Sequence, residues 1–221
     1  MSNPEMHQAH NPFSQALQAN NQNLPWLILA GGRATRMGGV DKGLVKLGAH
    51  PLIMHSMTIL RAQGAAVVIN ANRNISDYQA MAPCICDQHI GQEIQFDGPL
   101  AGIAAGLAQL PDDQEWMGFS PCDCPNLPQN LIARLNAAKP VQAPPLWVLC
   151  HDGEQSQHGV GLVHRSILPT LQKALTEGER RLAKFQHLTG ACYVDFSDTP
   201  KSFINLNSTH ELSQWQSDHR A

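Results

Sequence analysis

The 221 residues predict an α/β fold: one domain in which a mostly parallel, twisted sheet is flanked by helices. Three observations carry that expectation. Short runs rich in Val, Ile and Leu recur along the chain, each four to six residues long and bounded by glycine, proline or asparagine, as buried strands are. Stretches with helical spacing fall between them, and strand, loop, helix, strand is how a parallel sheet begins. Polar residues or glycines stand directly after the runs, where open parallel sheets place their ligands.

The first run, Leu27, Ile28, Leu29 and Ala30, stops at Gly31 and Gly32, where side chains vanish and main-chain N–H groups become approachable. Gly38 and Gly39 keep the following loop thin, and Arg33, Arg36 and Lys42 add three cations within ten residues. A polyphosphate is the ligand best matched to glycines plus cations; the competing account is a surface loop of solvated charges. The loop lacks both the Gly-Lys-Ser/Thr ending of the Walker type and the Gly-x-Gly-x-x-Gly of dinucleotide folds.

Pro51 stands at a helix start, with apolar residues through Leu60 and Gly64 as a stop. Ala65–Ile69 reads as the second strand, leading into Asn70-Ala71-Asn72, and a third around Cys84–Cys86 delivers Asp87 to the same edge. Asn70 and Asp87 suit a base or a ribose, although both residue types also form plain turns. Gly98-Pro99-Leu100-Ala101-Gly102 opens a helix running to about Leu110. Its small residues cost stability, about 1 kcal/mol for Gly against Ala, so something packs close to it. The free N–H groups at the helix start favour a nucleotide there, near Gly98 and Gly102, over tight packing on the sheet.

Trp116–Ser120 is a further strand, and it runs into Pro121-Cys122-Asp123-Cys124-Pro125, which places one carboxylate on a stiff corner. Mg²⁺ binds triphosphates through only one or two protein carboxylates, so Asp123 is the expected metal ligand. A helix-capping turn is the alternative. Strands are expected at Leu146–Leu149, Val160–Val163, around Tyr193 and at Phe203–Leu206, and helices at Ser166–Thr176, Glu179–Leu188 and after the capping box Ser208-Thr209-His210-Glu211. Arg180 and Arg181 suit an anionic acceptor and a solvated face equally well. Asn205, expected on a strand, is preferred over Asn207 for reaching a cleft.

A net charge of −3 and a pI near 6.4 supply no basic field, so nucleic acid is not an expected partner. No apolar run is long enough to span a membrane, and residues 1–24, rich in Asn, Gln and His, contain no signal-peptide core; a cytoplasmic location is expected. That first segment is expected to be a mobile extension. The six cysteines are expected to be thiols. The pairs Cys84/Cys86 and Cys122/Cys124 would put two thiols on one face of an extended chain, but structural zinc uses wider spacing.

Leu29-Ala30-Gly31-Gly32, Arg36-Met37-Gly38 and Lys42 resemble the glycine-loop signature of nucleotidyltransferases that activate sugars and cofactors. Together with Asn70–Arg73, Gly98–Gly102, Pro121–Asp123 and Phe203–Asn207, the chain from about Leu27 to Trp215 resembles the bacterial molybdenum cofactor guanylyltransferases. The resemblance implies a single Rossmann-like domain of the nucleotide-diphospho-sugar transferase type over 25–217, with a nucleotide half to about 125 and an acceptor half from about 126. It implies GTP and the molybdopterin cofactor as substrates, Mg²⁺ as cofactor, and molybdoenzyme chaperones or other cofactor-biosynthesis proteins as receivers of the product. It implies nucleotide contacts from Leu29, Ala30, Gly31, Gly32, Lys42, Asn70 and Asp87, Mg²⁺ on Asp123, and Asn205 facing the pterin. Arg36, Lys42 and Mg²⁺ held by Asp123 would offset the charge of the reaction. The family usually carries Pro-Thr where Gly159-Val160 stands, and lacks residues 1–24. The rival readings are a cytidylyl- or sugar-nucleotidyltransferase with the same loop, and a module that binds GTP or the pterin without turnover.

Overall fold

The computed structural model describes residues 11–19, 24–32, 41–87, 98–141 and 145–218, and its sheet is built outward from β1, Leu24–Leu29. On one side β1 pairs in parallel with β4 (Ala65–Asn70), which pairs in parallel with β5 (Cys84–Ile85). On the other it pairs in parallel with β6 (Trp116–Pro121). The sheet continues through β8 (Ser156–His164) and β7 (Trp147–His151) to β9 (Ala191–Asp195), in the order β5-β4-β1-β6-β8-β7-β9. Only β8 runs against its neighbours, so the carboxyl ends of the other six strands share one edge. A separate two-stranded ribbon, β2 (Lys46–Leu47) with β3 (His50–Pro51), lies just after Lys42.

Both faces of the sheet are covered, which is why its strands read as continuous apolar runs. Trp26, Ile28, Val67 and Ile69 pack on one face with α2 (Leu52–Ala62), α3 (Ile75–Gln79) and α5 (Leu131–Ala137). Leu27, Ala66, Val68, Phe119 and Trp147 pack on the other with α4 (Pro99–Ala108), α6 (Leu168–Thr176) and α7 (Leu182–Thr189). The helix bounds follow their punctuation: Pro51 precedes α2 and Gly64, at φ +85°, follows it, while Gly98, at φ +77°, turns the chain into Pro99 at the first position of α4. A third, smaller cluster of Leu47, Leu52, Leu206 and Leu212 ties the last helix, α8 (Thr209–Asp218), to the ribbon. Among the described residues no helix is long and apolar enough to cross a membrane.

Two expectations are corrected. Within the segment expected to be mobile, Pro12–Ala19 forms a helix, α1, whose Phe13 and Ala16 are buried against the second face of the sheet. Its start is capped by Asn11, whose Oδ1 accepts from the N–H groups of Phe13 at 2.9 Å and Ser14 at 3.1 Å. Asn11-Pro12 supplies the helix start within an otherwise polar stretch. The strand expected at Phe203–Leu206 is instead a 3-10 turn, Pro200–Phe203, followed by irregular chain. Thr199-Pro200 ends the preceding run, and Leu206 N–H donates to Asp123 O at 3.1 Å rather than joining a strand ladder.

Candidate active site

The shared carboxyl edge brings the polar strand ends together. Leu29 lies opposite Asn70 on one side and Pro121 on the other, so the chain leaving β1 at Ala30, Gly31 and Gly32 passes between Asn70 and the Asp123 corner. Ala30 is buried, and its N–H donates to Asn70 O at 2.8 Å. Towards β4 and β5 a cavity of about 290 Å³ is lined by Leu29, Gly31, Gly32, Asn70, Asp87, Gly98 and Pro99. Six of those seven are residues singled out from the sequence.

Asp87 is held by two asparagines. Asn70 Nδ2 donates to its Oδ1 at 2.9 Å and Asn72 Nδ2 to its Oδ2 at 2.7 Å, while the Asp87 N–H donates to Asn72 Oδ1 at 2.9 Å. Each carboxylate oxygen keeps a lone pair for another donor. Gly102 does not line the cavity. A Cβ there would come 2.4 Å from Asn70 Oδ1 and 2.8 Å from Leu29 Cδ2, and one at Gly106 would meet Leu27 and Met117. The small residues of α4 therefore make room for side chains of the sheet, and Gly102 acts on the cavity only by letting Asn70 stand where it does.

On the β6 side of the glycine turn the Lys42 amine pairs with Asp123 Oδ2 and donates to Asn207 Oδ1 at 2.6 Å. Lys42 starts a 3-10 turn, Lys42–Leu44, and Asp123 follows β6 on its proline-flanked corner. Asp123 Oδ1 is buried and has no hydrogen-bond partner among the described residues. An orphaned carboxylate oxygen beside a lysine is costly unless a cation or donor arrives with the ligand. That oxygen fits a divalent ion of the Mg²⁺ kind, which needs little more from the protein. Arg36 lies outside the described residues.

The acceptor residues are placed less as expected. Asn205 is exposed and accepts through Oδ1 from the Cys124 thiol. Asn207, passed over in favour of Asn205, reaches Lys42, while the Ser208–Glu211 capping box closes α8 without its side chain: Ser208 N donates to Glu211 Oε2 and Glu211 N to Ser208 Oγ. The spacing Asn205-x-Asn207 was the available signal. The Arg180 guanidinium donates to Leu175 O at 2.7 Å and Glu179 O at 3.0 Å at the end of α6, and its own carbonyl lies 3.7 Å from where a Cβ on Gly98 would stand. Burial, with Asp123 next in effect, pushes the Cys122 thiol well up. Burial and then Cys86 raise Cys84 to about 11, so these thiols stay protonated at neutral pH.

A family model described as the MobA-like NTP transferase domain matches residues 26–190. The molybdenum cofactor guanylyltransferase of Vibrio cholerae is 44% identical over 191 residues, covering 86% of this chain and 90% of that protein. The one from Aliivibrio fischeri is 44% identical over 190 residues, covering 86% and 94%. The crystal structure of molybdopterin-guanine dinucleotide biosynthesis protein A from Archaeoglobus fulgidus superposes with a TM-score of 0.68 at 18% identity, over 88% of this chain and 98% of that one, a likeness of fold. With a glycine-walled cavity on one side of β1 and a lysine–carboxylate pair on the other, the chain belongs to the MobA-like NTP transferase family, among the molybdenum cofactor guanylyltransferases, and is a nucleotidyltransferase.

Proposed function

We propose that the protein transfers GMP from GTP to the terminal phosphate of the molybdenum-bearing molybdopterin cofactor, forming the guanine dinucleotide and releasing pyrophosphate. The observation that carries this reading is the position of the glycine turn, with the Asn70–Asp87 cavity on one side and the Lys42–Asp123 pair on the other. The nucleoside lies in the cavity, where guanine N1–H and N2–H need acceptors and Asp87 and nearby carbonyls offer them. The triphosphate then crosses Gly31 and Gly32, where no side chain intervenes, towards Lys42. Asn205 and Asn207 stand at the far side of Lys42 and receive the acceptor.

The physical difficulty is bringing one phosphate anion to another and releasing pyrophosphate with additional charge. Lys42, and Arg36 on the loop before it, offset that charge, and the acceptor phosphate, ionised at neutral pH, requires no general base. Asp123 would hold Mg²⁺, which neutralises phosphate oxygens when bound. Lys42 exchanges its carboxylate partner for the incoming phosphates, and Asn207 keeps the amine oriented during the exchange. A cytoplasmic location, where thiols stay reduced, suits the same reading.

Pyrophosphate release should be measured with GTP, CTP and UTP, with and without the molybdopterin cofactor. Release that needs both GTP and the acceptor supports guanylyl transfer. Equal release from CTP or UTP returns the reading to a less selective nucleotidyltransferase, and tight GTP binding without release returns it to a carrier.

A further inference from the structure

A second carboxylate, which neither the cavity nor the Lys42–Asp123 pair uses, sits directly before Lys42. Asp41 is 5% exposed, and its carboxylate packs against the start and interior of α3. There it accepts from the Tyr78 hydroxyl and from Asn74 Nδ2 at 3.1 Å, and Arg73 Nε lies 3.3 Å away as an ion pair without hydrogen-bond geometry. None of these bonds caps its own 3-10 turn, so they serve a contact between distant segments rather than a local one. Tyr78 is fully buried, and its hydroxyl lies where a Cβ on Gly43 would come within 2.6 Å, so the turn carrying Lys42 is pinned from both sides of the lysine. Burial, then Cys122 and Asp41, raises the Tyr78 phenol far above its ordinary value, and it remains a donor. The partners of Asp41 follow immediately on Asn70 and Asn72, which hold Asp87. A single five-residue segment, 70–74, thus grips the carboxylate of the base cavity at one end and the anchor of the phosphate lysine at the other. Asn74 adopts a left-handed backbone at φ 47°, uncommon for a side-chain-bearing residue, and so turns its amide towards Asp41.

We infer that Asp41 is a positioning residue for Lys42, clamped by Tyr78, Asn74 and Arg73, and that segment 70–74 sets the distance between the nucleoside cavity and the phosphate lysine. The inference rests on the role assigned to Lys42 above. It explains why a buried acid, costly unless fully partnered, directly precedes a lysine that must hold one place while exchanging partners.

The test is a double-mutant cycle on turnover at saturating GTP, using Asp41→Asn, Lys42→Ala and the pair, with Tyr78→Phe as a second probe that removes one hydroxyl and keeps the ring. Asp41→Asn is expected to lower kcat by about tenfold or more, as displacement of a reacting group does, with a smaller change in KM. In the Lys42→Ala background the same change should alter kcat by no more than about twofold, because the group it positions is gone. Tyr78→Phe should follow the same pattern more weakly, and serves alone if Asp41→Asn does not fold. An equal loss in both backgrounds would make Asp41 a residue of general stability and overturn the inference, as would unchanged turnover in folded Asp41→Asn and Tyr78→Phe. Wild-type turnover in Lys42→Ala would instead overturn the assignment of Lys42, so the two failures are distinct.

Discussion

Asp123 and Asp152 occupy equivalent places and have opposite fates. Each follows a strand at the same sheet edge, Asp123 after β6 and Asp152 after β7. Asp152 is spent on its own turn: Oδ1 accepts from the N–H groups of Glu154 at 2.9 Å and Gln155 at 2.8 Å, and Oδ2 from the Gln157 amide. The Gln155 main chain, first among these donors, holds its carboxyl below the usual range. Asp195, at the end of β9, is likewise folded back on Ser197. Asp123 has one oxygen on a lysine and the other on nothing among the described residues. An acid whose lone pairs are filled by its own loop is architecture, whereas one left short at a strand end is held ready for something that arrives later.

The sharpest way to break that contrast is to remove both acids. Asp123→Ala should lower turnover by about two to three orders of magnitude, as loss of a preorganised electrostatic group does, whereas Asp152→Ala should leave turnover within about twofold and lower the melting temperature. Pyrophosphate release and thermal melts on the two variants decide it. Next in size is the buttress behind the nucleotide half: Phe13→Ala should cost about 3–5 kcal/mol in urea unfolding, as deletion of a fully buried phenyl ring does. A negligible cost would return residues 12–19 to the mobile extension that their composition suggests.

Gly102→Ala probes the cavity from behind. The added methyl displaces Asn70, so GTP affinity measured by calorimetry should fall about tenfold, equivalent to about 1.4 kcal/mol, with stability reduced by about 1–3 kcal/mol from overpacking. The smallest effect belongs to the second half. Glu179 accepts first from Lys184 and then from the Arg181 and Arg180 N–H groups, which hold its carboxyl down to about 2 from 4.5. A depressed folded value means its stabilisation is complete above the ordinary glutamate range and is lost as pH falls. The gap in urea midpoint between wild type and Glu179→Gln should therefore be widest above pH 4.5 and close towards pH 2.

Much of the nucleotide half could be read from the chain, because its information is local. The runs at Leu27–Ala30, Ala65–Ile69 and Trp116–Ser120 are short, apolar and followed at once by the residues that matter, so strand and site residue arrive in one stretch of text. Gly102 shows where that logic fails: a bare Cα reports that something is close without saying whether it is a ligand or the Asn70 side chain. Asn207 shows the other failure. It stands beside a capping box, and only the fold brings it to Lys42.

The amine of Lys42 is fastened to a partner 81 positions away and to another 165 positions away, the second presented by chain that packs on the Leu47–Leu212 cluster. Loop closure over such spans is entropically slow, so this junction is among the last to form. The strands of the main sheet all precede Asn207 in the chain. We expect a chain ending before position 205 to bind GTP in its cavity while leaving Lys42 half-tethered. Competence to react would then be acquired only when this segment docks on the architecture that houses it.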